Sequence, residues 1–146
     1  MATWEDVRRL VSALPGTEER PSYGGRPSWR AGGGMVVWDR PLGARDREQL
    51  GEDAPPEDEP LLGVRVADEG VKAALPAEEA DAVLTVPHLD GTPVVLVRLR
   101  RVRPDLLAEL VEEAWRCRAP RRLVAARDAD AADGVRPPAS PTGGRP

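Results

Sequence analysis

The sequence holds no phenylalanine and only one each of tyrosine, cysteine, histidine and lysine. Each shortage removes a class of function. Cys117 alone excludes an internal disulfide and leaves no CxxC or paired Cys/His spacing from which to build a zinc site. His88 is equally isolated, so a metal site would need carboxylates plus this single ring. No apolar run approaches the roughly 18 residues that cross a bilayer, and no charged-then-apolar stretch resembles a secretory leader. A cytoplasmic, soluble protein with no membrane partner, no metal and no cofactor is expected. Lys72 is the sole lysine, whereas arginine, alanine, glycine and proline are plentiful. That bias is what codons of a GC-rich genome produce, so arginine number by itself carries little functional weight.

At 146 residues the chain suits one domain with a single core. Its formal net charge of -4 and pI near 5.1 are unlike the strongly basic footprint of a generic nucleic-acid binder. The distribution is uneven. Between Asp46 and Asp81 stand 12 acids against Arg47, Arg65 and Lys72, whereas between Arg98 and Arg127 nine arginines face four acids. Such a dipole can steer an anion onto one face, although two ordinarily solvated surfaces explain it equally well.

Thr3 suits an N-cap and Asp6 lies three residues on, which opens a helix over Trp4 to Ala13. Trp4, Val7, Val11 and Leu14 share one face of it, and Leu14-Pro15-Gly16 ends it. Thr17 to Arg40 reads as glycine-punctuated hairpins, with a tight turn at Gly24-Gly25 and a looser one at Gly32-Gly33-Gly34. Pro21 and Pro27 place the first two pieces at an edge or in an irregular pair, and Met35 to Trp38 is a central strand. The triple glycine lacks phosphate-loop spacing. Residues 41–60, with EDAPPEDEP at their heart, read as a solvent-exposed acidic excursion, disordered in part. A strand Leu61 to Val66 and a short helix Glu69 to Leu75 follow, the latter capped by Asp68 and closed by Pro76.

Leu84 to Trp115 organises the rest. Asp90-Gly91 is a hairpin turn signal between apolar runs, and Arg103-Pro104-Asp105 ends a strand and starts a helix. Val95, Val97 and Leu99 alternate with Val94, Leu96, Arg98 and Arg100. The first set should meet Leu107, Leu110, Val111 and Ala114 of the following helix together with the Trp4 helix. The fold class is therefore α+β, an antiparallel sheet with two main helices on one face. The domain is expected over residues 1–126, with a short last helix beyond Pro120 and a disordered Pro/Gly-rich tail over 127–146.

Trp4, Leu14-Pro15-Gly16, Gly25-Arg26-Pro27-Ser28-Trp29, Thr85-Val86-Pro87-His88, Asp90-Gly91 and Trp115 recur here in an order that resembles the MmcQ/YjbR family, over roughly residues 3 to 125. The resemblance implies a frataxin-like (CyaY-like) fold and a DNA-binding label, and it brings no catalytic motif. The acidic excursion and the tail depart from the family pattern.

Candidate chemistry is sparse. Cys117 between Arg116 and Arg118 should favour thiolate but has no base beside it, and no serine lies in a nucleophile elbow. His88 is expected to bond nearby backbone and fix its turn. No catalytic residue is assigned. Two binding readings stay open. In one, Arg26, Arg30, Arg98, Arg100, Arg116, Arg118, Arg121 and Arg122 contact the phosphates of double-stranded DNA. In the other, the open sheet face with Trp29 and Trp38 receives a protein partner or a small ligand.

Overall fold

The computed structural model describes residues 1–135, and these form one antiparallel sheet and five α-helices. The strands are β1 (Glu18–Pro21), β2 (Pro27–Ala31), β3 (Gly34–Asp39), β4 (Leu61–Arg65), β5 (Val83–Leu84) and β6 (Val94–Arg98), in the order β1-β2-β3-β4-β6-β5. The helices are α1 (Trp4–Ser12), α2 (Ala44–Leu50), α3 (Glu69–Glu78), α4 (Pro104–Arg118) and α5 (Arg121–Val135). The architecture is the expected α+β layer.

Helix α1 begins with a capping box. The Thr3 hydroxyl accepts from the Asp6 amide at 3.2 Å while the Asp6 carboxylate accepts from the Thr3 amide at 2.9 Å. Helix α4 begins at Pro104, where a missing N–H costs nothing. Val7 and Val11 of α1 join Leu107, Leu110, Val111 and Ala114 of α4 over Val64, Val95, Val97 and Leu99. Each such burial contributes about 1.5–3 kcal/mol. Trp115 is completely buried and donates its indole N–H to the Pro15 carbonyl at 2.8 Å, which ties the end of α4 to the exit of α1.

The second face of the sheet is not open throughout. Leu61, Val94 and Leu96 on it are covered by Leu42 of the residue 41–60 segment and by Val86 and Leu89 of the β5–β6 connection. Most of residues 41–60 are exposed as expected, but the segment is anchored to the sheet by buried Leu42, Asp46, Pro55 and Glu59. Leu42 and Leu50 give this segment apolar anchors, α2 forms between them, and Arg47 donates to the Pro55 carbonyl at 2.6 Å. Of the acids in this segment Glu48, Glu52, Asp53, Glu57 and Asp58 are exposed, whereas Asp46 and Glu59 are buried.

Other local expectations change as well. Strands β5 and β6 do form an antiparallel pair, but residues 85–93 between them contain a 3-10 turn, Pro87–Leu89, before Gly91 at φ 80°. Helix α3 runs through Pro76 to Glu78. Helix α5 extends to Val135 across the boundary expected at residue 127, held by Arg116 to Asp128 at 2.6 Å and by Arg127 to Glu112 at 3.0 Å. The remainder of the expected tail, 136–146, lies outside the described residues.

The two glycine turns exchange roles. Between β1 and β2 lies a five-residue loop with a 3-10 turn, whereas β2 and β3 meet at a two-residue turn, Gly32-Gly33, with Ala31 opposite Gly34. Both turn glycines have positive φ, 59° and 87°. That geometry matches the twist of the flanking strands. The turn also sits under the end of α4, since a Cβ on Gly32 would lie 2.0 Å from the Arg118 carbonyl oxygen, whereas one on Gly33 would meet nothing within 4 Å. Gly33→Ala should therefore cost only the left-handed penalty of about 1–2 kcal/mol. Gly32→Ala should cost about 2–5 kcal/mol, because overpacking against backbone is added. Urea unfolding of the two variants checks this, and equal losses would show that the turn and α4 are not in register.

Candidate functional site

Strands β2 and β3 carry the site, and a bulge between them decides what faces it. Trp29 pairs with Val37 and Arg30 with Met35, so Val36 is the extra residue. Such a bulge re-aims side chains on its strand. Val36 and Val37 both enter the helix-side core, while Met35 and Trp38 line a groove on the other face. This explains how a strand apolar throughout serves two faces.

The groove has a volume of about 800 Å³. Its floor is Arg30, Met35 and Trp38, and its wall is the segment from Asp39 to Asp46, with Arg26 and His88 at the margins. The wall is fixed by Asp46, which is buried and accepts from the Gly43 amide at 3.0 Å and from Arg40 at 3.4 Å. The Trp38 indole lies across β4 at Gly63, where a Cβ would come within 2.6 Å of the ring. Glycine at this position lets the ring rest flat on the sheet.

Four arginines, Arg26, Arg30, Arg40 and Arg45, meet two aspartates here. Arg26 pairs with Asp39 at 3.3 Å and Arg40 with Asp46 at 3.4 Å. Burial pushes the Asp39 carboxyl up, opposed by the nearby Arg26 charge. Among the described residues neither Arg30 nor Arg45 has a carboxylate partner; Arg30 donates only to the Gly33 carbonyl, at 3.3 Å. The groove therefore carries an excess of positive charge on a protein of net negative charge. Of the acids between Asp46 and Glu59, only Asp46 lines it.

The structure brings together Arg26, Arg30 and Trp38 from the two binding readings and separates the rest. Trp29 is not an exposed contact residue. It is 1% exposed, stacked on Trp4 at 6.4 Å between ring centroids, with its N–H donated to Glu19 at 3.2 Å and Arg8 over its ring at 6.0 Å. Arg98 is committed to Glu59 through two hydrogen bonds of 2.8 Å, and the Glu59 side chain is 3% exposed. Its even-numbered position points it toward the second face as expected, but the residue 41–60 segment delivers a buried carboxylate to it. Arg100 pairs with Asp58 at 3.3 Å, and Arg116 is held between Glu112 and Asp128. Arg118 packs on Gly34, with its Nε buried and without a hydrogen bond. Arg121 and Arg122 are exposed on the first turn of α5, outside the groove.

His88 is exposed at the groove margin, and its ring makes no hydrogen bond among the described residues, so it does not fix the turn. That task falls to Lys72, which is buried and donates to the Leu89 carbonyl and, at 2.6 Å, to that of Thr92. The expectation for Cys117 is reversed, because burial pushes its thiol up and outweighs Arg65 and Arg118. Arg40, Arg45, Met35 and Asp39 were not singled out from sequence. A signal for two of them existed in Leu42 and Leu50 flanking a helix start with Asp46 at its third position, which marks Arg40 and Arg45 as residues of an anchored segment.

The fold and groove define an α+β protein with a single sheet whose central strands are buried on one face by helices and whose other face is covered in part. A sequence model described as YjbR matches residues 12–117, and the chain belongs to the YjbR family. It is 47% identical over 129 residues to uncharacterized proteins of Mycobacterium tuberculosis and Mycobacterium bovis, covering 86% of this chain and 95% of theirs. The fold is shared with the crystal structure of Deinococcus radiodurans protein DR2400, a DUF419 protein, at a TM-score of 0.56 and 21% identity, over 79% of this chain and 77% of that one. Among the described residues no helix is long and apolar enough to cross a membrane.

The Glu59–Arg98 pair ties the residue 41–60 segment to β6. Hydrogen bonding from Arg98 holds the Glu59 carboxyl below its ordinary value near 4.5, and Arg127 does the same for Glu112. Because the folded values are depressed, their stabilisation is complete above the ordinary value and is lost as pH falls through the folded values. Thermal unfolding should therefore show Tm falling on acidification below about pH 4.5. Glu59→Gln should cost about 3 kcal/mol at neutral pH by leaving Arg98 without its counter-charge, and it should flatten that acid dependence. A variant as stable as the parent would show that the pair does not anchor the segment.

Proposed function

We propose that this protein is a non-catalytic, cytoplasmic nucleic-acid-binding protein that holds phosphate in the groove between β2, β3 and the Asp39–Asp46 segment. The observation that carries this reading is the meeting of four arginines with two aspartates in one concave site, two of those arginines having no carboxylate partner among the described residues. Phosphate contacts of this kind position a nucleic acid without reading its sequence. The reading agrees with the DNA-binding label that the family resemblance implies. It relocates the interface, however, since Arg98 and Arg116 are held by Glu59, Glu112 and Asp128 and cannot reach phosphate without breaking those pairs. A protein-partner reading loses half of its proposed surface with the burial of Trp29.

Fluorescence anisotropy with labelled single-stranded and duplex oligonucleotides at about 50 mM salt should detect binding that weakens steeply as salt rises. Arg30→Ala with Arg45→Ala should lower the slope of log K against log salt by about 1.4–1.8, at 0.7–0.9 per lost contact. Arg100→Ala should leave it unchanged. Absence of binding to both oligonucleotides, or a slope unaffected by the double variant, would overturn the assignment.

A further inference from the structure

We infer that the groove accepts one unstacked nucleotide unit, its base laid against Trp38 and its phosphate on Arg30 and Arg45, so that the ligand is single-stranded nucleic acid rather than duplex. The inference rests on the nucleic-acid reading above and names the form of ligand that the same site takes.

Shape is the first ground. A volume of about 800 Å³ is that of a pocket for a single small planar ligand. A duplex presents phosphates on a convex cylinder and keeps its base faces stacked inside. An aromatic ring at the floor of a cleft can reach a base only after that base has left the stack. Single strands offer such bases freely, and aromatic side chains beside a positively charged track are the usual means of holding them.

The floor is the second ground. Trp38 rests on Gly63, which fixes the plane of the ring, and the indole keeps part of its surface in the groove beside Met35. A ring fixed in this way loses little entropy on stacking. Of the four tryptophans, Trp29 and Trp115 are buried and Trp4 is stacked on Trp29, so Trp38 is the indole placed for a ligand.

Charge orients the ligand. Asp39 and Asp46 repel phosphate and are paired with Arg26 and Arg40 respectively. Arg30 and Arg45 meet no such opposition among the described residues and are left for the phosphate. The half-buried Asp39 carboxylate, which also lines the groove, is an acceptor for the N–H groups that a base edge presents.

The test compares the intact protein with Trp38→Ala and Trp38→Phe. Its probes are a labelled 12-mer single strand, the same sequence as duplex, and a free nucleoside monophosphate as competitor. The single strand should bind at least tenfold more tightly than the duplex. Trp38→Ala should weaken single-strand binding by roughly 5- to 100-fold, as expected for loss of one base stack, with duplex binding unchanged, and Trp38→Phe should restore most of the loss. Competition by the monophosphate that disappears in Trp38→Ala would support the same unit in free form. Equal binding of strand and duplex, both insensitive to Trp38 but sensitive to Arg30 and Arg45, would overturn this inference and leave the nucleic-acid reading standing. No binding of any probe would overturn both.

Discussion

The fold depends on a sheet whose central strands are apolar on both faces. Val64, Val95 and Val97 look one way and Leu61, Val94 and Leu96 the other, and all are fully or nearly fully buried. Two such faces cannot be left in water. Helices α1 and α4 cover the first over its central strands. The second has no helix pair available, so it is closed by two pieces of chain that would otherwise be loops, residues 41–60 and 85–93. Their cover lies mainly over β4, β5 and β6 and reaches Trp38 of β3, and the groove lies beside it over β2 and β3.

Those covering pieces are polar, and polar chain stays on an apolar face only if its own groups are satisfied. The residue 41–60 segment achieves this with a charge at each end, Asp46 on the Gly43 amide and Glu59 on Arg98. Residues 85–93 are held by Lys72, whose ammonium takes two backbone carbonyls. Arginines near the second face are in this way divided into two groups by the carboxylates the segment brings. Arg98 and Arg100 are paired with Glu59 and Asp58 of the segment, whereas Arg30 and Arg45 line the groove without a carboxylate partner among the described residues. The concentration of acids in the sequence therefore sharpens the positive site by deciding where free arginine remains.

Much of the helix-side core was legible in sequence because it rests on local periodicity. The stripes Trp4-Val7-Val11 and Leu107-Leu110-Val111-Ala114, the alternation through Val94 to Leu99 and the Thr3 cap all appear in the structure as the spacing predicts. The site was legible only in part. Arg26, Arg30 and Trp38 were named, yet Trp29 was misplaced because its neighbours on either side are polar and its burial comes from Trp4, 25 positions away. The pairing of Arg98 was hidden for a similar reason. Its partner Glu59 lies 39 residues earlier in a stretch whose composition argues for solvent, and composition does not record that one of five acids is turned inward.

The bulge at Val36 is the step that no periodicity signals. Regular alternation would place Met35 and Val37 on one face and Val36 and Trp38 on the other. Inserting Val36 opposite the Trp29–Arg30 step puts Met35 and Trp38 on the same side and leaves both valines to the core. Without that insertion the groove would have either its thioether or its indole. An unpaired residue in the ladder costs a backbone hydrogen bond, which Val36 offsets by complete burial of its side chain. The same irregularity therefore keeps the core closed and shapes the open face, which is why the site depends on register and cannot be read from residue type alone.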